Sequence, residues 1–259
     1  MLSQERVAQI LEFINEHGSA RVEELASTLN VSEMTIRRDL EKCQKKGLIQ
    51  RCHGGAVLKR PNEREQPYED KQCIHQDQKR KIAEICASMI PDGATVYLDA
   101  GTTNYQIAER IFRIPDLTVV TNDVMIAAML HQRDIRLLVV GGEVQNSTGS
   151  TLGPFAEQML RSIRIDLSFM GAASIDPDYN VMTPTIEKAF LKRLVTEISN
   201  KSYLAADASK FDRQSMVLIN NLKDYAGVVT DRAFTDAEEK QIHDMQINII
   251  PAGTAGEER

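Results

Sequence analysis

Apolar residues near the start of the chain recur at helical spacing. Val7, Ile10, Leu11 and Ile14 follow Ser3, which can cap a helix, and precede Gly18, which can supply a left-handed stop. They predict one amphipathic helix. A shorter helix is predicted over 22–29, with Leu25, Ala26 and Leu29 inward, and Asn30-Val31-Ser32 then makes a tight connection to a third. Ser32 caps that third helix, and Ile36 and Leu40 face the core. Its other side offers Glu33, Met34, Thr35, Arg37 and Arg38, and Lys42, Lys45 and Lys46 extend the positive charge toward Gly47. The pattern then becomes β-prone over 48–52 and 56–58, around His53-Gly54-Gly55, which reads as a hairpin.

Residues 59–80 carry Pro61, Pro67, many charges and little apolar periodicity, so they are expected to form a linker that docks partly on the larger domain after it. A helix over 78–90 shows Ile82, Ile85, Cys86 and Met89 on one face and closes at Pro91-Asp92-Gly93. From there short β-branched runs alternate with amphipathic helices. Strands are predicted at 94–98, 117–120, 135–140, 167–170, 203–206, 228–230 and 247–250, and helices near 103–112, 123–132, 154–162, 185–199 and 235–245. The expected fold class is α/β: a small winged helix-turn-helix module over 1–58, the linker over 59–80, and a larger α/β domain with a mainly parallel sheet over 81–259.

Charge sharpens this division. The net charge of −6 looks wrong for a nucleic-acid binder, yet residues 1–60 hold 10 Lys and Arg against 8 Asp and Glu, and residues 32–60 alone hold 8 against 3. Binding to phosphates depends on such local patches, and here a basic module precedes an acidic body. No apolar run approaches the roughly 20 residues of a membrane span, and no signal-peptide pattern opens the chain, so a cytoplasmic protein is expected. Cys43, Cys52, Cys73 and Cys86 have neither C-x-x-C spacing nor a histidine at ligand distance, which predicts reduced thiols, no metal site and no cofactor.

A helix that exposes a threonine and two arginines in its early turns suits a major groove, and Arg51, His53, Lys59 and Arg60 could reach phosphates from the hairpin. Periodicity and charge alone also allow a three-helix interaction module with a solvated basic face. The specific residues favour the first reading. Arg6, Ile10 and Ile14, followed by Ser32-Glu33-Met34-Thr35-Ile36-Arg37-Arg38-Asp39-Leu40 and Arg51-Cys52-His53-Gly54-Gly55-Ala56, resemble the helix-turn-helix and wing of DeoR-type bacterial regulators. The resemblance implies a double-stranded DNA operator read by Ser32, Thr35, Arg37 and Arg38, with Arg51 and His53 as wing contacts. Asp39, repelled by phosphates, is expected to fix a local arginine or the backbone.

In a parallel sheet the ligand site lies at the carboxyl ends of the strands. The first strand ends in Asp99-Ala100-Gly101-Thr102-Thr103-Asn104 and opens into a helix, which gathers N–H groups, hydroxyls and a positive helix end into an anion cradle. Glycine and threonine also build ordinary turns and caps. The next strands end in Thr121-Asn122-Asp123 and Gly141-Gly142-Glu143, where the glycines permit either a ligand's approach or a plain tight turn. A further strand ends in Ala206-Asp207-Ala208-Ser209-Lys210, which offers Lys210 to a phosphate and Asp207 to sugar hydroxyls, unless the two bridge one another.

The G-T-T turn and the A-D-A-S-K run resemble the sensor domain of DeoR-type regulators, which is related to ribose-5-phosphate isomerase. This implies phosphate held by Gly101, Thr102, Thr103 and Lys210, with Asn122, Glu187 and Asp207 near the rest of the effector; Asp99, Gly141 and Gly142 complete the candidate set. The isomerases carry a D-G-A-D-type stretch, where this chain has Met170-Gly171-Ala172-Ala173, so both acids are lost and no catalytic residue is expected. Asp123 places a negative charge where the family often has a neutral residue. The expected function is a repressor of a carbohydrate catabolic operon, a homodimer or homotetramer on paired half-sites, relieved by a sugar phosphate. A bifunctional isomerase and a regulator of a non-sugar metabolite are the alternatives.

Overall fold

The computed structural model describes residues 3–17, 19–45, 48–52, 54–58 and 68–253. The expected helix stop at Gly18, the turn residue His53, the basic residues Lys46, Lys59 and Arg60, and the linker residues 59–67 lie outside them. The chain divides into two compact units, 1–61 and 62–259.

In the first unit, α1 (Ser3–His17), α2 (Val22–Thr28) and α3 (Glu33–Lys45) match the three predicted helices, and β2 (Ile49–Cys52) pairs antiparallel with β3 (Gly55–Leu58) as the predicted hairpin. The apolar stripe closes on itself: Ile10, Ile14, Leu25, Ile36 and Leu40 are fully buried in one cluster with Ala56. Truncating such a side chain to alanine typically costs about 2–5 kcal/mol. One strand was not predicted. β1 (Ser19–Arg21) adds to the hairpin, giving the order β1-β3-β2. Three residues are too few for an alternating pattern, but Gly55 is its trace: a Cβ there would lie 2.3 Å from the Ala20 carbonyl oxygen.

The second unit begins with α4 (Tyr68–Cys73) and α5 (Gln76–Ser88), so residues 68–80, expected in the linker, are largely helical. The charged sequence hid this, because the anchor is polar: buried Lys79 donates to the carbonyls of Lys71 and Ile74 and ties α4 to α5. Then come β4 (Thr95–Leu98), α6 (Thr102–Ile111), β5 (Thr118–Thr121), α7 (Val124–Leu130), β6 (Arg136–Val139), β7 (Glu143–Gln145), β8 (Ser150–Leu152), α8 (Pro154–Arg161) and β9 (Ile165–Met170). These are followed by β10 (Ser174–Ile175), β11 (Asn180–Thr183), α9 (Ile186–Ile198), β12 (Ser199–Ala205), β13 (Val217–Asn221), β14 (Gly227–Thr230), α10 (Asp236–Asp244) and β15 (Ile249–Pro251).

All seven predicted strands join one sheet, in the order β15-β14-β12-β9-β4-β5-β6, and every neighbouring pair is parallel. Adjacent strand residues point to opposite faces, so Val96 and Leu98 pack with Ile82, Ile107 and Ile126 on one side, while Tyr97 packs with Leu160, Leu191 and Ile242 on the other. Helices therefore cover both faces. Strand β12 starts four residues earlier than expected because its first half is polar. The antiparallel β7–β8 hairpin and the β10-β11-β13 sheet were not predicted.

From β4 the chain steps outward through β5 and β6, then returns to β9 on the other side of β4 and proceeds through β12, β14 and β15. The direction reverses between β4 and β9. That point is where open α/β sheets form a crevice at their carboxyl ends.

Candidate DNA-binding and effector sites

In the first unit, Ser32 stands just before α3 and is exposed; its hydroxyl lies 2.9 Å from that of Thr35 and accepts the Thr35 N–H at 3.3 Å. The two residues cap the helix as well as fronting it. Arg37 and Arg38 are exposed, and Arg37 forms an i,i+4 pair with Glu33 at 3.0 Å that stays half solvated and is easily exchanged for a phosphate. Arg51 lies in β2. Buried Asp39 accepts from Arg6 Nε at 2.6 Å and Lys42 Nζ at 3.1 Å, the structural role expected of it. Burial opposes its ionisation, but the hydrogen bonds and charges of Arg6 and Lys42 outweigh that and hold the carboxyl below its ordinary value. The Arg6–Asp39 pair locks α1 to α3.

In the second unit the ends of β4 and β5 are tied together, although not all of their polar groups face outward. Gly101 caps α6, but its N–H donates to Asp123 Oδ2 at 2.9 Å, and the Ala100 N–H donates to Asn122 Oδ1 at 3.0 Å. Asn122 also donates to the Thr151 carbonyl at 3.3 Å, so both ends of its side chain brace the backbone. The cradle is thereby narrowed to the first turn of α6, where Thr102 is buried and Thr103 half-buried, and whose amides carry the positive end of the helix. Asp123 is also the cap of α7, accepting from Met125 N at 2.7 Å and Ile126 N at 3.1 Å. Burial raises its carboxyl above the usual range, with the charge of Asp99 adding to the effect, against three amide hydrogen bonds that lower it. Its charge is thus spent inside the fold and is not displayed to a ligand.

Gly141 is exposed with open space where a Cβ would be, whereas a Cβ on Gly142 would lie 2.3 Å from the Leu152 carbonyl oxygen. Gly142 therefore serves close packing against β8. Glu187 is exposed on the first turn of α9. Asp207 is buried after β12; its Oδ1 accepts from the Ser209 N–H and hydroxyl, while Oδ2 has no partner. Lys210 ends the same short turn, half-buried. Burial lowers its pKa, the Asp207 charge opposes this, and the positive charges of Lys71 and Arg213 reinforce it. Lys210 thus feels two further cations, Lys71 of α4 and nearby Arg213, as well as the Asp207 carboxylate.

Three residues escaped the sequence reading. Lys188 and Lys192 lie one turn apart on the inward face of α9 and are buried. Lys188 donates to Thr148 Oγ1 at 3.2 Å; Lys192 pairs with Asp99 Oδ2 and donates to the Gly171 carbonyl at 2.8 Å. Their signal was present: a lysine at 188 and at 192 shares the helical stripe of Leu191 and Val195. The third is Asn104, which sat within the turn motif but was read as part of the helix start. Its Nδ2 donates to the Asp99 carbonyl at 2.8 Å.

Known families match along nearly all of this architecture. The model of the DeoR-like helix-turn-helix domain covers residues 6–62, and that of the DeoR C terminal sensor domain covers residues 74–232. The chain belongs to the DeoR family. Among curated relatives of this DeoR-family chain, "HTH-type transcriptional regulator GlpR" of Haloferax volcanii is 32% identical over 96% of this chain and 98% of its own length. The "L-fucose operon activator" of Haemophilus influenzae is 32% identical, covering 91% and 96% respectively. The "Glycerol-3-phosphate regulon repressor" of Escherichia coli is 31% identical over 88% of both chains. The DeoR-family chain is a DNA-binding transcriptional regulator with a small-molecule sensor domain, and no helix among its described residues is long and apolar enough to cross a membrane.

Proposed function

We propose that the chain represses a carbohydrate catabolic operon and is released from its operator by a sugar phosphate. In this reading residues 1–58 read DNA through Ser32, Thr35, Arg37, Arg38, Arg51 and His53, and residues 81–259 hold the effector. The observation that carries it is that the α6 first turn, after β4, and the partly desolvated Lys210, after β12 and under the charges of Lys71 and Arg213, both follow carboxyl ends of strands in one parallel sheet. A phosphate satisfies both: helix amides and ammonium groups are its usual partners. Asp207, with one oxygen unpartnered, suits a hydroxyl of the same ligand.

The pocket binds without catalysing. Aldose–ketose isomerisation needs a positioned base, and at the crevice Asp99 is engaged by Gly171 N–H and Lys192 while Gly171, Ala172 and Ala173 offer no acid. A homodimer or homotetramer on paired half-sites supplies the affinity that one winged module lacks. Ligand and DNA need only prefer different states of the protein for one to displace the other.

The test is fluorescence anisotropy with the tightest duplex selected by the protein from random-sequence DNA. Addition of the cognate phosphosugar is expected to weaken binding at least tenfold, and unchanged affinity across a phosphosugar panel would refute the proposal. A ligand that tightens binding would instead support activation, the reading favoured by the likeness to the L-fucose operon activator.

A further inference from the structure

Large apolar side chains gather on the outside of the second unit, where α9 packs against β13. On the outer stripe of α9, Ile186 is 51% exposed and Phe190 54%. Met216, just before β13, is 65% exposed, and Leu218, within it, 47%. Arg193 joins the two elements. Its Nε donates to the Ile219 carbonyl at 2.9 Å and its Nη2 to the Leu218 carbonyl, while its guanidinium carbon lies 5.8 Å from the centre of the Phe190 ring. Helix α8, which also packs on α9, carries the exposed Phe155 on its first turn.

A surface helix ordinarily turns polar residues to water opposite its buried stripe. Helix α9 buries Ala189, Leu191, Leu194 and Val195 on its inner side, yet its outer stripe opens with Ile186 and Phe190. At about 200 Å² for a fully exposed residue of this size, Ile186, Phe190, Met216 and Leu218 together present roughly 400 Å². Homodimer interfaces are about 65% apolar, so such a patch corresponds to about 600 Å² per copy and about 1,200 Å² for a pair, the lower end of specific association. Strand β13 is an edge of its small sheet, but Arg193 caps two of its carbonyls, which disfavours strand addition and leaves the apolar face as the surface to be covered. The charges on this face are self-complementary. Glu187 and Arg193 lie three residues either side of Phe190, so two copies of α9 laid antiparallel about Phe190 set Glu187 of each opposite Arg193 of the other. An isologous contact requires that reciprocity.

We infer that the face formed by α9 and β13 is where a second copy of this chain docks, about a twofold axis near Phe190. Phe190 and Leu218 form the apolar centre of the contact, and reciprocal Glu187–Arg193 pairs flank it. The inference gives a surface to the self-association in the proposed function and rests on that part of it alone; the identity of the effector does not enter. A twofold pair of this kind matches the symmetry of paired half-sites on DNA.

Sedimentation velocity of the full chain over a micromolar concentration range tests it. Wild type is expected to associate, and Phe190→Glu and Met216→Glu are each expected to weaken one step of that association at least tenfold with the circular-dichroism spectrum unchanged. Both positions are exposed, and Met216→Glu serves if Phe190→Glu does not fold. Oxidised Phe190→Cys is expected to run as a covalent dimer on a non-reducing gel, beside wild type as the control for the native cysteines; no added cross-link would refute the twofold axis at Phe190. If wild type associates and both glutamate variants associate equally well, the face is wrong while the self-association stands. A monomeric wild type would overturn both. A monomer whose sedimentation coefficient falls on Phe190→Glu would assign the face to the chain's own DNA-binding unit and refute the inference.

Discussion

Replacing Asp123 by alanine removes a single carboxylate that holds three amides. Two of these, Met125 N–H and Ile126 N–H, open α7, and the third, Gly101 N–H, closes the turn that begins α6. Losing a helix cap costs about 1 kcal/mol, and leaving a buried amide without a partner costs about 1–3 kcal/mol more. The two add to roughly 2–4 kcal/mol, since the carboxylate itself is fully buried and no solvent screening discounts it. For a unit of about 200 residues this lowers the unfolding midpoint by roughly 5–15 °C. Asp123→Asn is expected to lose much less: its carbonyl still caps α7, it needs no buried charge, and only the Gly101 bond is compromised. Differential scanning calorimetry reads both, and the transition of the DNA-binding unit should not move. If Asp123→Ala shifts the sensor transition by less than about 2 °C, Asp123 is not the brace described, and its charge must be counted as part of the ligand site after all.

Other consequences are open to equally direct measurement. Asp39→Ala strips the buried partner from Arg6 and Lys42 and should cost the DNA-binding unit about 3 kcal/mol or more; in the intact protein, because the Asp39 carboxyl is held below its ordinary value, its stabilisation is full at neutral pH and is lost only as pH falls below about 4, which acid unfolding followed by circular dichroism would reveal. Arg37→Ala together with Arg38→Ala should weaken DNA binding at least tenfold and flatten its dependence on salt by up to two ion contacts; unchanged affinity would remove the assignment of α3 to the groove. Gly142→Ala should destabilise the sensor through the Leu152 carbonyl and leave phosphate affinity unchanged in the folded fraction, as calorimetry and titration together would record. Since burial depresses the Lys210 pKa, phosphate affinity should decline at a pH below the usual lysine range, and Lys210→Arg should abolish that decline; a flat profile in wild type would contradict it.

The sequence made the scaffold legible because its signals repeat. Seven apolar β-branched runs separated by amphipathic helices specify a parallel sheet at any level of detail, and all seven were found. Short and polar pieces were not legible: β1 and β10 are too brief for alternation, and α4 is anchored by Lys79 through main-chain carbonyls that no side-chain pattern announces. The site divides in the same way. Motifs placed Thr102, Thr103, Asp207 and Lys210 at the strand ends, but they could not tell which polar group serves the ligand and which the fold. Asn122, Asp123 and Gly142 proved to be braces or packing positions only once Ala100, Gly101 and Leu152 came beside them. Conversely, the helical stripe turns Lys192 inward, but nothing in the sequence names its partner, Asp99, 93 residues away.

The central claim, that the second unit senses a phosphorylated sugar, is tested most directly by thermal unfolding of the full chain against phosphosugars, each beside its unphosphorylated parent. A ligand at about 100 times its dissociation constant adds roughly 2.7 kcal/mol, which raises the midpoint of the sensor transition by several degrees. The account predicts such a rise with a phosphosugar and none with the parent sugar; equal rises with both, or none across the panel, would contradict it.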